Sequence, residues 1–440
     1  VLAEHAHQGR DLGRAAVFYQ RAAEESYWRG DLAGTLARAE RASSCGAHGE
    51  ALGQLLALKV EVCFWRQEFQ AGVELAEEAL ALLPPGTLWW GKVIAAMSIM
   101  AFILGRSAQV SFVVQQLLSY QPDAGARVPY CTAVSGVILV LAALGAREQT
   151  RQFLERLREI DQLLGEDDAL ARGHISFAHV VFGYYIDSDL YSTYQHTRRA
   201  AAAFEAAEAA RSRSFLACYE AMSLGSLGDY VEAERLERAT LEDALSRNDT
   251  FVGYAARAYL MILLAERSEP DKWEEITALA AQHRTQGSQE VVIGQIQSAL
   301  ARVLMAQGRL SEAQKAAEEA LAVYQNARAV RPRAYRTLIE ILLRRGRLAD
   351  AERTADEALQ CLDELGGAGF CEVPLRLAIA EARAAGGDIA KAREALEQTL
   401  RLIDRCADQI PDPAMRARYL NDVPENVRAR ELARAVLGSP

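Results

Sequence analysis

Histidines, cysteines and carboxylates are the side chains here that could bind a metal or activate a nucleophile. The chain has seven histidines and seven cysteines in 440 residues. Their spacing supports neither chemistry. His5 and His7 lie two apart, and His174 and His179 five apart. Two ligands on one helical face favour a separation of four. The cysteines, Cys45, Cys63, Cys131, Cys218, Cys361, Cys371 and Cys406, stand singly. None forms a C-x-x-C pair, so neither a zinc site nor a disulfide framework is indicated. Lone cysteines in apolar surroundings pack as small core residues, which fits a reducing, cytoplasmic setting. Carboxylates fall in stretches such as AEEAL, the pattern of a solvated helix face.

Phosphate chemistry leaves no trace either. No G-x-x-x-x-G-K-[ST] loop, no G-x-G-x-x-G and no H-R-D triplet occurs, and G-x-S-x-G is absent. We therefore expect no catalytic residue, no cofactor and no metal. The net charge is −10, with both signs mixed along the chain, whereas nucleic-acid binders carry a basic stripe. Between Arg127 and Arg147 run nineteen uncharged residues, VPYCTAVSGVILVLAALGA. The length would span a bilayer. Pro129, Tyr130, Thr132 and Ser135 dilute it, and it keeps register with the repeat described next, so we read it as a buried helix.

The elements that must position any site follow from a repetition. QGRLSEAQKAAEEAL at 307–321 returns as RGRLADAERTADEAL at 345–359. The shared unit is a helix, a Gly turn, an aliphatic or aromatic residue, and a second helix with alanine five residues past the glycine. Clear copies turn at Gly228, Gly308, Gly346 and Gly387. Weaker ones turn at Gly30, Gln67, Gly105, Gly145 and Ser188, and a degenerate one lies near Ser268. Successive spacings are 37, 38, 40, 43, 40, 40, 40, 38 and 41. A period of that size marks a solenoid. Glycine can end the first helix at positive φ, and a following aspartate can cap the second. Alanine at glycine+5 lets the two helices approach. A small residue at glycine+12 (Ala42, Ala79, Ala200, Ala320, Ala358) lets the next hairpin stack. No hairpin buries its apolar face alone.

This pattern resembles the tetratricopeptide repeat, on residues such as Gly308, Leu310, Ala313 and Ala320. The units are longer than the usual thirty-four residues, and the aromatic near the start of the first helix is mostly missing. They look more like the long-hairpin superhelices of bacterial signalling proteins such as the maltose-regulon activator. HEAT-type arrays share the period but do not need the Gly turn. The stretch GRAAVFYQRAAEESYWRGDLAGTLARAERA resembles the junction where such an array follows an ATPase module. RARYLNDVPENVRARELARAVLG resembles the closing helices of bacterial regulators that join a serine/threonine kinase, an ATPase and a tetratricopeptide array. The chain begins at Val1 and reads as a fragment of a longer protein.

The expected fold is all-α: a right-handed α-solenoid of about ten hairpins over residues 1–410, with capping helices over 411–440. The resemblance implies that the first helices face a concave groove, at 13, 10, 6, 3 and 2 residues before each turn. The first half of that stripe is apolar and aromatic, with Trp65, Phe102, Phe182, Tyr185, Phe215 and Met222. The later part carries Arg302, Arg333, Arg336 and Arg344 against one acid, Glu340. Such a groove would take an apolar or aromatic segment at one end and an acidic one at the other, since arginine forks suit carboxylates. The same aromatics could instead fill contacts between hairpins, and the arginines could pair with acidic neighbours. Tyr184, Tyr185, Tyr191 and Tyr194 flank a turn without glycine, as a recognition patch or as compensation for a loosened turn.

The function expected is a non-catalytic interaction or sensor scaffold. It would bind a protein or peptide partner, or upstream domains of the same polypeptide, and regulate an attached kinase or ATPase. The alternative is a small-molecule sensor enclosing an apolar ligand. Self-assembly and unrecognised enzyme chemistry are weaker rivals.

Overall fold

The computed structural model describes residues 1–165, 168–267, 269–285, 290–324 and 327–438. Among them the secondary structure is helical, twenty-three α-helices and three single 3-10 turns, with no strand. The chain divides into two compact units. One comprises Val1–Val140, Glu155–Ala178 and Asp249–Phe251; the other comprises Leu141–Leu154, His179–Asn248 and Val252–Pro440.

The repeat turns have the backbone that their sequence demands. Gly308 and Gly346 sit at φ +75° and +69°, and Gln67, which replaces glycine in its copy, is held at +62°. The turn near Ser268 falls on a residue outside those described. Where aspartate follows the glycine it caps the next helix. Asp31 accepts from the Gly34 amide, Asp229 from Glu232 and Asp388 from Lys391. At two turns where arginine stands there instead, the side chain reaches forward to an acid in the first turn. Arg309 donates to Glu312 and Arg347 to Asp350. The glycine+5 residues Ala233, Ala313, Ala351 and Ala392 are buried, as are all five small residues at glycine+12. A residue pressed between two helix backbones has no room for more than a methyl group.

In the first unit, helix Leu12–Trp28 packs on Leu32–Ser44, Gly49–Trp65 on Phe69–Leu82, and Leu88–Ile103 on Ser107–Ser119. Phe251 lies 4.6 Å from Phe64 and 5.7 Å from Trp65, ring to ring. The Thr250 hydroxyl donates to the Trp65 carbonyl at 2.7 Å. The apolar helix Arg127–Leu144 is long enough to cross a membrane, and 78% of it is buried within the protein.

In the second unit, Ala210–Ser226 packs on Tyr230–Ser246, Glu290–Ala306 on Leu310–Val323, Arg331–Arg344 on Leu348–Leu365, and Glu372–Ala385 on Ile389–Asp408. Small and aliphatic side chains from Ala301 to Ala382 form one continuous core through three of these pairs. The last two helices, Pro413–Asp422 and Pro424–Leu437, cover its open end. They bring Tyr419, Val423 and Ala429 against Leu396, Ile403 and Cys406. Fully burying a leucine or isoleucine contributes about 1.5–3 kcal/mol, so a bare last hairpin would leave several such terms unrealised.

This unit also folds back on itself. The Ser188 hydroxyl donates to Glu372 at 2.6 Å, and the Cys406 thiol to the Ser188 carbonyl at 3.1 Å. Arg147 donates to the Gly366 carbonyl. The Gly366–Gly369 loop lies so close to residues 183–186 that a Cβ at Gly369 would collide with the Tyr184 carbonyl. These partners are some 180 to 220 residues apart in sequence, so these segments meet through tertiary packing and not through the chain.

Candidate functional site

Side chains of the expected stripe take part in a separate cluster in each unit. In the first, the Tyr27 hydroxyl donates to Glu61. The Lys92 ammonium lies 3.2 Å from that hydroxyl and 3.4 Å from the Glu61 carboxylate. Burial opposes the Lys92 charge, but Glu61 and Tyr27 outweigh it and raise the pKa above the ordinary lysine value. His174 Nδ1 sits 2.9 Å from the Ser135 hydroxyl. Burial first, then the Lys92 charge, pushes its pKa down to about 3, so the ring is neutral. Trp65 and Phe102, on neighbouring hairpins of the same unit, are half-buried.

In the second unit the aromatics stack. Tyr184 lies 4.8 Å from Tyr185, 5.3 Å from Tyr219 and 4.9 Å from Phe370, and Phe215 is 5.7 Å from Tyr219. Tyr185 and Met222 are buried, while Phe182 and Phe215 remain half-buried. The four tyrosines around the Ser188 turn separate: Tyr184 and Tyr185 enter this stack, whereas Tyr191 and Tyr194 pair with each other at 6.4 Å.

Three of the four groove arginines are buried, Arg302, Arg333 and Arg336, and Arg344 is exposed at the end of its helix. Arg302 donates to Glu340 at 3.2 Å and to the Ala265 carbonyl at 3.2 Å. Arg336 reaches three acids: Glu266 at 2.8 Å, Glu340 at 3.1 Å and Glu425 at 2.5 Å. Arg428 donates to Glu381 at 2.6 Å. Burial alone would protonate Glu266 and Glu340, but the arginines hold both below the usual carboxylate range. The balance of four arginines against one acid therefore does not survive folding. Glu266 and Glu425 enter from helices that the stripe did not include. Glu266 stands two residues before the degenerate Ser268 turn, so the same offset would have found it had that turn been placed. Glu425 lies beyond the repeats, where periodicity carries no information.

Arg333 differs from its neighbours. It is 7% exposed, and among the described residues its Nε has no hydrogen-bond acceptor and no carboxylate lies within 4.0 Å of it. Together with Arg336, Met222, Tyr230, Phe370 and Tyr419 it lines a pocket of about 90 Å³. Among the described residues, no group of three histidine, cysteine or acidic side chains is placed to hold a metal. All seven cysteines are free thiols.

With this geometry in hand, the chain can be compared with known proteins. No family model matches it, and no curated protein does. Among solved structures it resembles a Rap protein complexed with competence and sporulation factor, with a TM-score of 0.52 at 12% identity over 80% of this chain and 98% of that one. The fold is a tetratricopeptide-like helical repeat array. Weaker likenesses are NprR in complex with its cognate peptide NprX, TM-score 0.49 at 11% identity over 79% and 99% of the two chains, and yeast Tom70, TM-score 0.36 at 11% identity over 97% and 96%.

Proposed function

We propose that the chain is a non-catalytic binding scaffold that takes a segment of a peptide or protein partner along the groove face of its second unit. The observation that carries this reading is the convergence on one pocket of Met222 and Tyr230 from the hairpin that turns at Gly228, Arg333 and Arg336 from the hairpin that turns at Gly346, and Phe370 from the segment before helix Glu372–Ala385. Aromatic and arginine anchors in partly enclosed pockets supply most of the energy of such interfaces. A helical array of the same fold, the Rap protein, was solved with a factor bound, which supports a binding role.

The finer parts of the reading rest on resemblance. Residues 1–410 serve as the array and 411–440 as its cap. Engagement of the groove regulates an attached kinase or ATPase module in a bacterial, cytoplasmic signalling protein. The unpaired cysteines support a reducing compartment.

A selection of random peptides on the native chain tests the scaffold reading. The selected peptides should lose about tenfold or more in affinity on a Met222→Trp variant, which fills the pocket, with helicity preserved by circular dichroism. Failure to select any peptide, or equal binding by the filled variant, overturns it.

A further inference from the structure

We infer that the pocket around Arg333 is a site for a single carboxylate carried on a short aliphatic body. This deepens the scaffold reading and rests on it.

Charge is the first argument. Arginine stays ionised in proteins, and a buried charge is costly unless compensated. Arg336 and Arg302 each have carboxylates at hydrogen-bonding distance, but Arg333 has none. The acid whose field reaches it, Glu266, is held by Arg336 at 2.8 Å and flanked by Arg302 at 3.6 Å. The other groups around Arg333 are Tyr184, Tyr324 and Cys371. Burial pushes the pKa of all three upward, so they are neutral. The Tyr184 and Tyr324 hydroxyls also find no hydrogen-bond partner.

The pocket supplies the rest of the recognition. Tyr419 stands on the wall beside Asn426, and its side chain is buried. The two acids on its wall, Glu266 and Glu425, are both bound by Arg336, at 2.8 and 2.5 Å, and Arg302 also flanks Glu266 at 3.6 Å. The remaining wall is largely apolar, with Leu190, Met222, Leu263, Phe370, Val373 and Val423. A water needs about 10–15 Å³ of such space, so about 90 Å³ admits a carboxylate with a short branched chain. Phosphate, which favours several cationic donors, would meet one free guanidinium in an apolar chamber. The carboxylate could be the C-terminus of a peptide ending in an aliphatic residue, or a free aliphatic acid.

Calorimetry on the full chain distinguishes these sources. The probes are 4-methylpentanoate and its amide, acetyl-Ala-Ala-Leu with a free or amidated C-terminus, and inorganic phosphate. At least one acid should bind about tenfold or more tightly than its own amide. An Arg333→Met variant should abolish the preference and Arg333→Lys should retain part of it. Binding of the tripeptide alone assigns the site to a peptide terminus, and binding of the free acid assigns it to a small molecule. The acid–amide comparison is made on the native chain, so it stands even if a variant fails to fold. Equal binding of acids and amides, no binding of either acid at millimolar concentration, or preference for phosphate overturns the carboxylate site. If selected peptides still bind the groove in that case, the scaffold reading survives without it.

Discussion

An Nη nitrogen of Arg336 lies 2.5 Å from a carboxylate oxygen of Glu425, 89 residues further along the chain. Both side chains are buried. The pair ties the last helix to the interior of the second unit, and it sits on the wall of the pocket that also holds Arg333.

Glu425→Gln should therefore loosen that end of the array. Arg336 keeps Glu266 and Glu340, so its charge is not stranded, and the expected loss is about 1–3 kcal/mol. Denaturant unfolding should report it, with faster amide exchange confined to the helix Pro424–Leu437. Because the pair is buried, added salt should change the loss little.

The repeat turns offer a test free of packing effects. A Cβ at Gly346 would meet nothing within 4 Å, yet φ is +69°. Gly346→Ala should cost about 1 kcal/mol from backbone strain alone. Glu208, exposed and held at φ +52°, should give the opposite sign. Glu208→Gly should stabilise by roughly 0.5–1 kcal/mol, read from thermal unfolding.

Ala313, buried at glycine+5, tests the packing rule. Ala313→Leu should destabilise by about 1–3 kcal/mol through overpacking, measured by the denaturant midpoint. An exposed residue of the same helix, Lys315→Leu, should change stability by less than about 0.5 kcal/mol.

Glu237 predicts a pH dependence. Its side chain is buried beside the Cys218 thiol, and neither carboxyl oxygen has a hydrogen-bond partner. Burial raises its pKa to about 8, against about 4.3 unfolded. The folded state thus holds a proton that the unfolded state releases, so stability falls as pH rises between those values. Glu237→Gln should remove this slope. At 1.36 kcal/mol per unit, the variant should gain roughly 3–5 kcal/mol relative to the native chain between pH 4 and pH 8. Parallel unfolding curves for the two proteins over that range would contradict the assignment.

Local chemistry made the repeat legible in the sequence. Gly308, Gly346 and their relatives had to end a helix at positive φ. The alanines at 313, 320, 351 and 358 had to be small, and Asp229 and Asp388 had to cap. These constraints act within about twenty residues, so spacing alone reveals them. In the folded chain Glu61 lies near Lys92 and Arg302 near Glu340 on adjacent hairpins. The stacking of distant elements decided the rest. Only the folded unit could bring Glu372 to Ser188 and Glu425 to Arg336, because no local rule links residues 184 or 89 positions apart. The same closure determined which arginine would lack a partner. The sequence marked four arginines of one kind. The tertiary structure gave Arg336 three acids and Arg333 none, and that difference depends on which carboxylates the distant helices deliver.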